Sequence, residues 1–245
     1  MTDGLLLVHA FPLDARMWEP QVDTFGAALP VVAPHLPGFG GSVPAGEVMT
    51  MDAAASRCLE ALDEAGVDRA VVCGLSMGGY ATLALLAMAP HRVIGLALAN
   101  TRAEADPPEG AAGRRALAER LLAEGSAFLV AEPPPLLSDH APRLLQNRVQ
   151  ALIAEQPAPA IAAAALGMAA RPDRRDELGT IAVPTLVVTS DGDRLIPAAV
   201  TASMAAAIQG AELLRIAGVG HLSNLEAPEE FDEGLSRLLA RCGLR

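Results

Sequence analysis

The segment Gly74-Leu75-Ser76-Met77-Gly78 sets a serine between two glycines, each two positions away. It follows the apolar run Ala70-Val71-Val72-Cys73 and leads into the apolar, helix-spaced residues 80–88. A strand-to-helix turn this tight leaves no room for side chains flanking the serine, and glycine meets that need. The hydroxyl of Ser76 would then project outward at a helix N-terminus, where partial positive charge favours a developing oxyanion. Nucleophilic attack on a carbonyl carbon is the chemistry this suits. The plainer reading, a glycine-rich turn and nothing more, is disfavoured by the strand and helix on its two sides.

A serine hydroxyl is a weak nucleophile and needs a base, and that base needs a group to orient it. The apolar run 185–189 ends in Ser190-Asp191-Gly192-Asp193-Arg194-Leu195-Ile196-Pro197. A carboxylate on a loop after a strand can reach a histidine, and Asp191 and Asp193 both qualify. Either could instead brace its turn, the usual work of Asp beside Gly. Five histidines compete for the base. His91 sits at a helix end, His140 in a strand-free stretch, His35 after the second strand, and His9 where it would brace a loop. His221, in Gly218-Val219-Gly220-His221 after the last apolar run, alone follows both serine and acid.

These residues need a frame that gathers loops at one edge. Short apolar runs at 5–8, 31–33, 70–75 and 93–99 alternate with helical patterns at 17–25, 50–65 and 77–88. That βαβα rhythm predicts a parallel sheet covered by helices on both faces. Residues 101–180 carry alanine-rich helical patterns and the cluster Pro133-Pro134-Pro135 but no convincing strand. The rhythm then resumes with strands at 185–189 and 212–216 and helices at 198–208 and 228–240. The organisation expected is an α/β core from 1–100 and 181–245, with a helical lid inserted at 101–180.

With 245 residues, 51% hydrophobic and 19% charged, the chain can bury a large core. Its net charge is −11 and all 18 basic residues are arginine, with no basic stripe, so no nucleic-acid partner is expected. Cys58, Cys73 and Cys242 have no metal-site spacing and give no disulfide framework. The start, Met1-Thr2-Asp3-Gly4, lacks the basic residues of a signal peptide, and no long uncharged apolar run suggests a membrane span. A cytoplasmic protein is expected, of oligomeric state the sequence leaves open.

Taken together the motifs resemble the α/β-hydrolase family, and within it the branch of 3-oxoadipate enol-lactonases, small carboxylesterases and cofactor-free haloperoxidase-like perhydrolases. His9-Ala10-Phe11-Pro12-Leu13-Asp14 is similar to that branch's His-Gly-Phe-Pro-Leu-Asp segment. Pro34-His35-Leu36-Pro37-Gly38-Phe39-Gly40-Gly41-Ser42 is similar to its Asp-x-Pro-Gly-x-Gly-x-Ser loop. The resemblance implies a sheet of about six mostly parallel strands, selects Asp193 over Asp191, and makes Ser76, Asp193 and His221 a catalytic triad. It further implies an oxyanion hole from the backbone N–H groups of Phe11 and Met77, with no metal and no organic cofactor. The chain departs from the branch at Ala10 and His35, and it begins almost at the strand leading to His9, without the family's first two strands.

The expected reaction is hydrolysis of a small ester or lactone through an acyl-enzyme. Perhydrolysis, C–C bond hydrolysis and ligand reception can use the same arrangement. Aliphatic residues of the insert, from Leu121 and Leu122 through Leu136 and Leu144 to Met168, predict a narrow apolar pocket and neutral substrates. A carboxylated lactone would instead need a buried cation, for which Arg102 is the best-placed residue.

Overall fold

The computed structural model describes residues 1–244. Strand β1 (Asp3–Val8) is followed by a 3₁₀ turn (Ala15–Trp18), helix α1 (Glu19–Phe25) and the short β2 (Val31–Val32). Helix α2 (Met51–Glu64), β3 (Arg69–Leu75), α3 (Met77–Met88) and β4 (Val93–Ala99) come next. Helices α4 (Pro108–Glu124), α5 (Ala127–Ala131), α6 (Arg143–Ala154) and α7 (Ala158–Ala169) lie between β4 and β5 (Thr185–Ser190). The chain closes with α8 (Ala198–Ala207), β6 (Glu212–Ile216), α9 (Ser223–Glu226) and α10 (Pro228–Arg241).

The six strands form one sheet in the order β2-β1-β3-β4-β5-β6, and every neighbouring pair is parallel. Leu5, Leu6, Leu7 and Val8 are all fully buried, as are Val71, Val72, Leu96 and Leu98. Continuous rather than alternating burial means that helices cover both faces, which is why these strands read as unbroken apolar runs. α2 and α3 pack on each other over β1, β3 and β4, while α10 packs on α1 and against β4 and β5.

From β1 the chain steps out to β2, then returns past β1 to β3, so the strand order reverses between β1 and β3. Crevices outside the carboxyl ends of strands at such a reversal are where α/β sheets bind ligands. Phe11 leaves β1 there and Ser76 leaves β3 there.

One element differs from its sequence reading. The pattern at 17–25 is not one helix but a 3₁₀ turn followed by α1. Pro20, near the start of α1, has no N–H to give Arg16, so α-type bonding cannot run through it.

Helix α7 is the most deeply set part of the 101–180 segment. Its Ile161, Ala162, Ala164 and Ala165 are 1% exposed or less, and Met49 donates its N–H to the Ala163 carbonyl at 3.1 Å. A side chain at Gly167 would place its Cβ 1.7 Å from the Met49 carbonyl oxygen, so only glycine lets the helix come this close. Among the described residues no single helix is long and apolar enough to cross a membrane.

Candidate active site

Ser76 ends β3 and caps α3 with φ 56° and ψ −116°, a conformation that non-glycine residues adopt only when their surroundings impose it. Here the surroundings do. A Cβ at Gly78 would lie 2.0 Å from the Val8 carbonyl oxygen, and one at Gly74 would lie 2.3 Å from that of Gly78. The Ser76 N–H donates to the Ala99 carbonyl at 2.9 Å, and the Ser76 carbonyl accepts from the Thr101 hydroxyl at 2.7 Å. With its backbone held by the end of β4, the half-exposed Ser76 side chain opens into a cavity of about 210 Å³.

Asp193, after β5, is buried, and four donors converge on its carboxylate. Oδ1 accepts the N–H groups of Leu195 and Ile196 at 2.8 and 3.0 Å. Oδ2 lies 2.8 Å from His221 Nδ1 and accepts the Asn100 amide at 3.0 Å. Burial pushes the Asp193 carboxyl up, but the hydrogen bond and charge of His221, with Ile196 and Asn100, outweigh it and hold the group below its ordinary value. An ionised carboxylate only accepts, so the imidazole proton sits on Nδ1. That leaves Nε2 of His221 as a lone pair, buried and without a hydrogen-bond partner among the described residues. Asp191 is exposed and accepts the Gly218 N–H at 2.6 Å, the turn-bracing role.

Three residues of this constellation were not foreseen. Asn100, fully buried and at φ 44°, donates to Ser190 Oγ as well as to Asp193, and accepts from Ser223 Oγ at 2.6 Å. The Ser190 hydroxyl in turn donates to the Gly220 carbonyl beside His221. The ends of β4, β5 and β6 are thus joined by side chains. Leu195 and Ile196, whose N–H groups hold Asp193, line the same cavity as Ser76.

Residues 5–233 match the alpha/beta hydrolase family. The chain belongs to that family. It is 31% identical to a pimeloyl-(acyl-carrier protein) methyl ester esterase of Aromatoleum aromaticum, over 92% of this chain and 94% of the relative. It is 31% identical to 3-oxoadipate enol-lactonase 1 of Acinetobacter baylyi, over 93% of this chain and 85% of the relative. Among solved structures, a thermophilic esterase from Thermogutta terrifontis with malate bound superposes with a TM-score of 0.92 at 35% identity, covering 99% of this chain and 92% of that one.

In this hydrolase Phe11 lines the cavity with Ser76, and Met77 is the first residue of α3. Neither N–H donates a hydrogen bond elsewhere among the described residues. Ala10, where the related branch has glycine, is fully buried and does not have a positive φ, so its methyl group imposes no left-handed strain. His9 is a brace: its Nε2 accepts the Leu36 N–H at 3.0 Å, its Nδ1 faces the Ala10 carbonyl at 3.1 Å, and its ring meets Phe39 edge-on. Burial lowers its pKa to about 4, so it stays neutral. His35 accepts the Ala15 N–H at 3.3 Å, while His91 and His140 are exposed.

The lining of the hydrolase cavity departs from the aliphatic slot expected of the insert. Leu136 and Met168 reach it, but Leu122 and Leu144 are 63% and 82% exposed, and Leu121 and Leu129 are buried in the core. Helix α4 turns Ala111, Ala118 and Leu121 inward, so its neighbouring leucine faces out. The remaining apolar wall comes mainly from Phe11, Tyr80, Leu195 and Ile196, and the polar wall from Arg102, Asp106 and Arg114.

Proposed function

We propose that this chain is a serine hydrolase that cleaves small carboxylic esters or lactones through an acyl-enzyme on Ser76. The observation that carries the reading is the Asp193–His221 pair, 2.8 Å apart, with its Nε2 lone pair buried and uncommitted at the same edge of the sheet as Ser76. The ester hydrolase and lactonase named among its relatives support the substrate class.

His221 Nε2 takes the hydroxyl proton as Ser76 Oγ attacks the carbonyl carbon. Asp193 holds the imidazole in the tautomer that leaves Nε2 free, and stabilises the imidazolium that forms. The N–H groups of Phe11 and Met77 receive the oxyanion; a donor of this kind is worth roughly 10² to 10³ in rate. The imidazolium returns its proton to the leaving alcohol, and water deprotonated by His221 then releases the acid. The Ser76–His221 hydrogen bond is not formed in the free chain, in keeping with catalytic contacts that tighten only around substrate.

The test is turnover of methyl pentanoate together with labelling by a fluorophosphonate. One label at Ser76 is expected, and Ser76→Ala should lose on the order of 10⁶ in kcat while keeping the wild-type melting transition within a few degrees. Near-wild-type turnover by the folded variant would end the proposal.

A further inference from the structure

Arg102 lies three residues past the end of β4, on the wall of the Ser76 cavity. Its Nη2 donates to the Leu195 carbonyl at 3.1 Å, while its Nε is buried and has no partner among the described residues. Among the described residues no ion pair reaches it. An arginine stays charged in a protein, and its planar fork suits a carboxylate held by two bonds. A guanidinium at a cavity wall with a buried, spare Nε–H and no counter-ion offers a ready donor to an anion entering the cavity.

Of the neighbouring carboxylates Asp106 is already matched, while Glu104 keeps a buried Oε2 without a partner among the described residues. Asp106 accepts from Arg114 Nε at 2.5 Å and from Arg171 Nη2 at 2.9 Å. Burial pushes its carboxyl up, and the two guanidiniums outweigh that and hold it ionised. Asp106 is the acidic residue of the cavity wall, so Arg102 and Arg114 face the cavity against a single carboxylate that Arg171 also shares. Glu104, two residues along, makes no ion pair with Arg102. This local excess of positive charge stands in a chain whose net charge is −11.

We propose that the cavity accepts an ester or lactone carrying a second, free carboxylate, and that Arg102 is the group that binds it. This rests on the hydrolase reading of Ser76. The class is the half-ester of a short dicarboxylic acid, with its methylenes against Leu136 and Met168, its ester at Ser76 and its free carboxylate on Arg102. A cavity of about 210 Å³ limits the acid to a short chain. A neutral acyl chain of the same length would cover the guanidinium without answering it, which reverses the preference for neutral substrates expected from the insert's leucines. The carboxylate takes no part in bond making. It is held alike in ground and transition states, so its contribution falls mainly in KM.

Monomethyl glutarate and methyl pentanoate match in length and differ in the terminal carboxylate. Methanol release from each should be measured with wild type, Arg102→Gln and Arg102→Lys. Wild type should favour monomethyl glutarate at least tenfold in kcat/KM. The ratio of the two esters should fall at least tenfold in Arg102→Gln and recover in part in Arg102→Lys, with the change carried by KM. Glutarate should compete with methyl pentanoate, at an inhibition constant that rises at least tenfold in Arg102→Gln. Taking a ratio cancels any general loosening of the loop that Arg102 ties to Leu195. If Ser76 takes the phosphonate and methyl pentanoate is cleaved, but the ratio ignores Arg102, the carboxylate site alone is overturned. If neither ester is cleaved and Ser76 takes no label, the hydrolase reading falls and the carboxylate site with it.

Discussion

The cavity has two walls: the strand-end wall is backed by one buried carboxylate and the insert wall holds another, and neighbours keep each ionised. On the strand-end wall Asp193 is held by an imidazole, an amide and two backbone N–H groups. On the insert wall Asp106 is held by two guanidiniums. The residue type is the same and the outcome differs. The donors on Asp193 carry no permanent full charge, so its negative charge remains available to favour a positive imidazole. The donors on Asp106 cancel its charge and leave a surplus of arginine. The first arrangement can orient a base, and the second can only set the sign of the lining. On the proposed serine-hydrolase reading, chemistry belongs to the sheet edge and selection to the insert.

The sharpest way to break that division is to neutralise carboxylates at the sheet edge. Asp193→Asn should keep the fold and lose about 10⁴ in kcat, because the imidazole is then held in the wrong tautomer. Asp191→Asn should stay within about threefold of wild type in the same methyl pentanoate assay, since Asp191 only accepts the Gly218 N–H. The reverse order would transfer the orienting role to Asp191.

The strand-end wall also leans on a buried neutral histidine, and this gives it a pH signature. His9 has an ordinary pKa of 6.5 and a folded one of about 4. Between those values the unfolded chain takes up a proton that the folded chain refuses. The cost is absent above pH 6.5 and grows as pH falls towards 4, reaching on the order of 3 kcal/mol. The carboxyls of Asp193 and Asp106, held below their ordinary values, contribute stability that is lost only at still lower pH. Urea unfolding at pH 7.5, 6 and 4.5 should show wild type losing more stability on acidification than His9→Gln. Parallel losses would mean that His9 is protonated in the folded chain and that its contacts to Leu36 and Ala10 are not those of a neutral ring.

The strand-end wall was far more legible in the sequence than the insert wall, for a physical reason. Gly74 and Gly78 are dictated by contacts with backbone atoms, so the need for glycine shows in the chain itself. Asp191 and Asp193 could not be told apart by residue type, because both carry the same group on the same loop. The resemblance selected Asp193, and the geometry places Asp193 on His221. Asn100, Ser190 and Ser223 form no motif: the hydrogen bonds that join them span 90 and 123 residues, and a small polar residue after a strand is ordinary. In the insert, apolar composition said that leucines were present but not which way each helix turns. Helical phase is set by packing between α4 and α7, which no local pattern records.

The division between the walls is least clean at one seam, and the smallest effect is expected there. Glu226, at the end of α9, accepts the N–H of Gly220, next to His221, at 2.8 Å. It also accepts the N–H and hydroxyl of Ser138 in the insert, and Leu222 donates its N–H to the Leu136 carbonyl at 3.0 Å. The histidine loop is therefore fastened to the insert by the same carboxylate that fastens it to itself. Removing the carboxylate leaves the N–H groups of Gly220 and Ser138 without acceptors and frees the loop on one side, while Asp193 still holds the imidazole on the other. A displacement of about 1 Å in a reacting group can cost 10²-fold, and with one tether retained Glu226→Ala should lose about tenfold in kcat with KM for methyl pentanoate little changed. Glu226→Gln, which keeps one acceptor oxygen, should lie between the two. If Glu226→Ala keeps the wild-type kcat, the sheet edge holds His221 unaided and the two walls are as separate as their carboxylates suggest. If it loses as much as Asp193→Asn, the insert is part of the catalytic scaffold and the division fails.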